Sequence, residues 1–264
     1  MKDTDLKFKS KRYPILEFDP DRISVTGPEK ETLGYSFKVP ENCVLCFFND
    51  VLLSLYKKRV TKIIGNLMSS MGPSPIYEAE FNGKKIALFN PGVGAPLAAA
   101  FLEEIISLGG RKFIACGGAG VLDEKISAGH LLVPTYAIRD EGTSYHYVPP
   151  GREIGANLSA VRTVTQTLTN HNINYLLTKT WTTDAFYRET KEKIRQRLLE
   201  GCLTVEMEAS ALFAVAEFKE VSLAELLYAS DDVSGNIWDK RTTKERKITK
   251  QDVLYLSIEA CSML

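Results

Sequence analysis

From Cys43 onward, short apolar runs alternate with amphipathic ones, and no other feature narrows the possible folds so far. "CVLCFF" suits a buried strand and leads into the helical pattern of "DVLLSLYKKR". The two strand-like runs of "PIYEAEFNGKKIALFN" flank Asn82-Gly83, a pair that favours a type I′ hairpin because both positions need positive φ. "APLAAAFLEEIISLGG" reads as a helix stopped by Gly109-Gly110. "KFIACGGAG" then reads as a buried strand entering a glycine loop, and "HLLVPTYAI" as another strand. A helix over 156–171, a strand through "NYLLTKT" and a polar helix near 189–200 follow. Next come a strand over 202–205, a helix over 209–218 and a last helix over about 249–262. "VSLAELLYASDD" ends as a strand, although "LAELL" also fits a helix. Strands alternating with helices imply an α/β sandwich around a mainly parallel or mixed sheet, and the fold expected is a three-layer α/β/α sandwich around a mixed central sheet. In such folds ligands gather at the carboxyl ends of strands.

The first 42 residues, with Pro14, Pro20, Pro28 and Pro40 among many charges, read as an arm packing on the body or on a neighbouring subunit. Residues 43–264 then form one domain, a size that 264 residues allow. Lys plus Arg equals Asp plus Glu at 33 each, so no bulk charge argues for nucleic acid or an anionic membrane. Apolar runs fall well short of the roughly 20 residues that a membrane span needs. The charged start lacks the apolar core of a secretory signal, which implies a cytoplasmic protein. Cys43 and Cys46 form a CxxC without the second pair that a zinc site requires. All five cysteines therefore read as buried thiols, and no metal is expected.

Several short stretches could carry chemistry. Gly117 to Gly120, "GGAG", lacks the spacing of a dinucleotide fingerprint and reads as a tight turn that lets a ligand approach. "NPGVGAP" leads into a helix, so its amides could face an anion. "AIRDEGTSYHYVPPG" concentrates aromatic and charged residues in what reads as a pocket wall or subunit contact, and "TTDAFYRET" places Phe186 where a flat ring could stack. In "CLTVEMEASALFAV", Glu206 and Glu208 could not share a helical face, since positions two apart point about 200° from each other. They mark a strand-to-helix junction instead, with Glu208 in the first turn, where unpaired amides favour an ionised carboxylate. "YASDDVSG" ends a strand with Asp231 and Asp232, of which alternation sends only one to a given face.

"CGGAGVLDEKISAGHLLVP", "RDEGTSYHY", "TTDAFYRET", "VEMEAS" and "ASDDVSG" occur in the order and near the spacing of the nucleoside phosphorylase superfamily. Across residues 43–260 the chain resembles its uridine phosphorylase-type branch most. The resemblance implies cleavage of the bond between ribose and a nucleobase, by phosphorolysis to free base and ribose 1-phosphate. It assigns Glu208 to the ribose 2′ and 3′ hydroxyls, Met207 to the sugar face, Phe186 to the base, and Asp231 to protonation of the leaving base. Asp232 is the alternative to Asp231. Ser230, Gly117, Gly118, Arg188 and Glu206 complete the expected substrate-binding set, Glu206 without a catalytic role. The resemblance implies a homo-oligomer, dimer or hexamer, and no cofactor beyond phosphate as co-substrate.

Three departures from the family pattern concern phosphate. The first loop, "CFFNDVLLSL", lacks the expected glycine and arginine. Ala115 stands where an arginine usually precedes the glycine run. No arginine in "TKIIGNLMSSMGPSPIY" matches the one donated by a neighbouring subunit. Arg139, Arg152 and Arg188 lie in site-forming loops and could bind phosphate instead. Asp50, however, matches the acidic residue that activates water in methylthioadenosine nucleosidases, so hydrolysis is the alternative; the plain reading of Asp50 is a helix cap. A nucleoside-binding or storage protein without turnover is the third reading.

Overall fold

The computed structural model describes residues 10–241 and 248–264. Among the described residues, the stretch before the sheet holds one short helix, α1 (Pro28–Glu31), and two 3-10 turns. Tyr35 and Phe37 stack there at 5.3 Å and pack against the core. The body begins with β1 (Asn42–Cys46) and α2 (Asn49–Lys57), then β2 (Lys62–Ser69), β3 (Gly72–Phe81), β4 (Lys84–Phe89) and α3 (Ala95–Ser107). It continues through β5 (Lys112–Val121), β6 (Leu131–Asp140), β7 (Glu153–Gly155), α4 (Leu158–Asn170), β8 (Tyr175–Thr183) and α5 (Lys191–Leu199). It ends with β9 (Cys202–Glu206), α6 (Ala209–Phe218), β10 (Ser222–Asp232) and α7 (Lys250–Ser262). No helix among the described residues is long and apolar enough to cross a membrane.

The strands form one mixed sheet in the order β10-β6-β8-β9-β5-β1-β4-β3-β2, with β7 on β6. Strand β10 also pairs with β5, so β5, β10, β6, β8 and β9 close into a ring. Helix α3 packs on α6 and α4 on α7, completing the α/β/α layers expected from the alternation. Past their first residues, Asn42 and Lys112, strands β1 and β5 carry no polar side chain because both faces are covered, as Val44, Leu45, Phe113 and Ile114 show by being fully buried. All five cysteines are buried and free.

Asn82 and Gly83 take φ of 50° and 76°, as the hairpin between β3 and β4 requires. Strand β10 settles the ambiguous "LAELL" as sheet, paired along β5 from Ser222 to Asp232. Two expectations need correction. The glycine run is not a loop, because β10 pairs alongside it and keeps Gly117 to Gly120 within β5. The glycines serve close approach instead: a Cβ at Gly118 would meet Ser230 at 3.1 Å, and one at Gly120 would meet Val205 at 3.1 Å. Second, β2 and the start of β3 have no clean apolar alternation to betray them. Pro73 and Pro75 are tolerated because β3 pairs there with β2, while its register with β4 starts only at Ile76.

Candidate active site

Strands β5 and β9 run antiparallel and meet only at Gly120–Val205 and Val121–Thr204, so their carboxyl ends converge. The end of β10 joins them where Asp231 sits opposite Gly120. Two cavities open at this convergence. The larger, about 480 Å³, is lined by Phe186, Tyr187, Glu189, Asp231 and Trp238 among others. The smaller, about 220 Å³, is lined by Phe47, Val93, Glu208, Glu225 and Leu227. Gly118, Glu206 and Met207 border both, so the two form one cleft with Met207 between its halves.

The junction after β9 is held by Glu206. Its Oε2 accepts the amides of Glu208 and Ala209, both at 2.6 Å, which are the first free donors of α6. Its Oε1 accepts the Thr182 hydroxyl at 2.6 Å and the Thr180 hydroxyl at 3.3 Å. Burial pushes the Glu206 carboxyl upward in pKa, opposed by these bonds. The capping expected of Glu208 thus falls to Glu206. Glu208 is instead the N-cap residue, and its carboxyl accepts the Gly94 amide at 2.5 Å and, more weakly, the Met207 amide at 3.3 Å. The "NPGVGAP" loop does face an anion-forming group, and that group is Glu208.

Glu208 is also not the readily ionised carboxylate expected at a helix start. Burial and the charge of Glu206 push it up to about 8, beyond what the two amide bonds recover. A carboxyl raised this far is accessible in both forms near neutral pH, and in the protonated form it can both donate to and accept from a pair of hydroxyls.

On the other side of Met207, Asp231 faces the larger cavity. The register of β10 against β5 slips between Ala229 and Asp231, and this irregularity sets which aspartate turns inward. Asp231 Oδ2 accepts the Trp238 indole at 2.6 Å, and the Ser230 hydroxyl lies 2.5 Å from Oδ1. Asp232 is engaged elsewhere, accepting the Ser234 amide at 2.8 Å and pairing with Arg241 at 3.0 Å. Half-exposed Phe186 and exposed Tyr187 form a ring pair 4.0 Å apart at the cavity wall. Glu189, unremarked in the sequence, lines the same cavity and is pushed up to about 7 by burial and by the charge of Asp231.

Other expected residues fall outside the cleft. Asp50 sits exposed in the first turn of α2, 3.4 Å from the Lys250 ammonium, and lines neither cavity. This is the geometry of a helix-start carboxylate. Arg152 pairs with Glu200, and Arg188 is exposed and lines neither cavity. Arg139 is buried, donating to Ser144 Oγ at 2.9 Å, the Pro149 carbonyl at 2.8 Å and the Val148 carbonyl at 3.3 Å, with Tyr145 stacked 4.3 Å from the guanidinium. "AIRDEGTSYHYVPPG" is therefore an internal staple and does not line the cleft. Arg139→Ala should destabilise the fold by about 2–4 kcal/mol, because it leaves buried acceptors unpaired. Thermal melting checks this. An unchanged melting temperature with weakened phosphate binding would return Arg139 to the site.

The family model of the phosphorylase superfamily matches residues 68–257. A DeoD-type purine nucleoside phosphorylase of Aliivibrio fischeri is 25% identical over 190 residues, covering 71% of this chain and 79% of the relative. A guanosine phosphorylase of Halorubrum lacusprofundi is 28% identical over 144 residues, covering 54% of this chain and 60% of the relative. Among solved structures, an AMP nucleosidase from Bacteroides thetaiotaomicron superposes with a TM-score of 0.69 at 23% identity, over 85% of this chain and 88% of the other. A uridine phosphorylase from Vibrio fischeri superposes with a TM-score of 0.72 at 21% identity, over 86% and 93%. At such identities the superpositions establish the fold. The nucleoside phosphorylase-type reading of the sequence holds at the level of the family, whose matched members are phosphorylases and a nucleosidase. By the match of its model over most of the chain, this protein is an enzyme of the phosphorylase superfamily.

Proposed function

We propose that this protein cleaves the N-glycosidic bond of a nucleoside. The base lies in the larger cavity, the ribose over Met207, and the nucleophile enters from the smaller cavity. The observation that carries this reading is the continuity of the two cavities past Met207, with Asp231 on one side and Glu208 on the other. Loss of a nucleobase builds negative charge on the base and positive charge on the sugar, so it needs groups on both sides of one bond. Asp231 faces the leaving base and is the group through which a proton reaches it. Phe186 provides the ring against which the base stacks. Glu208 binds the ribose hydroxyls and, with Met207, fixes the ring for attack. Ser230 orients Asp231, while Glu206 holds the backbone that carries Met207 and Glu208. Gly117 and Gly118 let the sugar approach the sheet closely. No organic cofactor enters this chemistry, and assembly into a homo-oligomer accords with the family resemblance.

Phosphorolysis is the reading favoured by the relatives. Hydrolysis is favoured by one observation: among the described residues, the smaller cavity is lined by three glutamates and by no lysine or arginine. A phosphate dianion placed there would lose its hydration without a compensating cation. The deciding experiment is release of free base from a panel of nucleosides and nucleoside 5′-monophosphates, in phosphate-free buffer and with phosphate added. Release in both buffers at the same rate is the result expected from the lining. Release only with phosphate would establish phosphorolysis, and no release from any member would remove the proposed activity.

A further inference from the structure

Glu225 is an acid in the middle of an apolar strand, between Ala224 and Leu226, both fully or nearly fully buried. It is itself 1% exposed, lines the smaller cavity, and its Oε2 has no hydrogen-bond partner. Its neighbour across the β10–β5 pairing is Ala115, whose methyl group leaves the carboxyl room. The other two carboxyls of the cavity already accept hydrogen bonds on both oxygens. Glu206 has both oxygens filled by two amides and two hydroxyls. Glu208 accepts amides on both oxygens. Glu225 alone among the three keeps an acceptor oxygen uncommitted. A buried oxygen left in that state costs stability, so its presence is explained best by something that binds there.

We propose that Glu225 is the catalytic base of a hydrolytic reaction, holding the attacking water in the smaller cavity and taking its proton. This rests on the reading of the cleft as a nucleoside site. The water oxygen forms a bond to the anomeric carbon as that carbon's bond to the base nitrogen breaks. The water's proton passes to the Glu225 carboxylate, the departing base takes a proton from solvent through Asp231, and Glu225 then releases its proton to solvent. The products are free base and ribose, with no co-reactant beyond water. Burial first, then the nearby carboxyls of Glu206 and Glu208, raises the proton affinity of Glu225. The step runs through the ionised form of Glu225, whose own proton passes to solvent before the water attacks, and positive charge growing on the sugar in the same cavity favours that form. The same carboxyl disfavours a phosphate dianion, which makes Glu225 a determinant of nucleophile choice as well.

The test uses the full-length protein and the nucleoside that it cleaves fastest in the panel, in phosphate-free buffer. Glu225→Gln is expected to lower kcat by roughly 10²–10³-fold while KM stays within about threefold, as for loss of a general base. Glu225→Ala is expected to lose a similar factor and to regain part of it with added formate, which a purely structural role would not produce. Both variants should melt at or above the wild-type temperature, since a buried acid is removed. With ¹⁸O-labelled water the wild type should place the label on the anomeric carbon of the released ribose. A Glu225→Gln variant within twofold of wild-type kcat would overturn the proposal, as would a Glu225→Ala variant that formate does not restore. Ribose 1-phosphate as the wild-type product, with no release in phosphate-free buffer, would overturn it too, while leaving nucleoside cleavage in place. No base release under either condition would instead remove the reading on which it rests.

Discussion

Asp231→Asn is expected to slow base release from an ordinary nucleoside by about 10²–10⁴-fold in kcat, with little change in nucleoside affinity. The substitution preserves volume and an oxygen for the Trp238 indole, which now bonds Asp231 at 2.6 Å. What it removes is the transferable proton. The loss should therefore shrink on a ribosyl substrate whose leaving group departs well without protonation, such as a nitrophenyl riboside. Asp232→Asn is the matched control, because Asp232 is engaged by Ser234 and Arg241 and lies outside the cavity lining. Its cost should fall on stability more than on turnover. Steady-state kinetics of both variants on both substrates checks this. An equal loss for Asp231→Asn on both substrates would show that it positions the base without protonating it.

Glu208→Gln is expected to behave oppositely in activity and in stability. If Glu208 binds the ribose hydroxyls, kcat/KM should fall about 10²–10³-fold, the scale of losing one preorganised polar contact in a water-poor site. Stability should move the other way. The folded-state pKa of Glu208 is raised from 4.5 to about 8. Between these values the folded protein retains a proton that the unfolded chain has released, so stability falls as pH rises through that window. The variant carries no such penalty and should be more stable than wild type at pH 8, on the order of 2 kcal/mol or more, with the difference vanishing near pH 4. Denaturant unfolding of both proteins across this range provides the measurement. A wild-type stability that does not fall between pH 5 and 8 would contradict the raised pKa. Unchanged nucleoside affinity and turnover in the variant would remove Glu208 from the ribose.

Most of the fold was legible because its signals are local. Asn82-Gly83 announces a hairpin by its backbone needs, and the helix patterns at α3, α4 and α7 are long enough to stand alone. Strand β2 was not legible, since its exposed edge needs no apolar alternation. The glycine run misled for a different reason. Glycine signals close approach equally in a turn and in a crowded strand, and only the pairing of β10 with β5 distinguishes the two. In the site, Met207, Glu208, Phe186 and Asp231 could be singled out from motifs, and the structure brings all four to one cleft. Asp50 matches a water-activating acid by position along the chain, but its side chain reaches Lys250 and not the cleft. Glu189 and Trp238 lie in irregular segments without periodicity, so nothing marked them as lining the larger cavity. Glu225 did carry a usable signal. A lone acid in an apolar strand, on alternating positions with Leu227, must be buried and needs a reason.

The most direct test of the account is a crystal structure of the protein with a non-cleavable nucleoside analogue. The base should lie against Phe186 with a ring nitrogen within hydrogen-bond distance of Asp231. The 2′ and 3′ hydroxyls should lie on Glu208, with the open face of the anomeric carbon turned toward the smaller cavity. An analogue bound with its sugar away from Met207 and Glu208, or outside this cleft altogether, would contradict it.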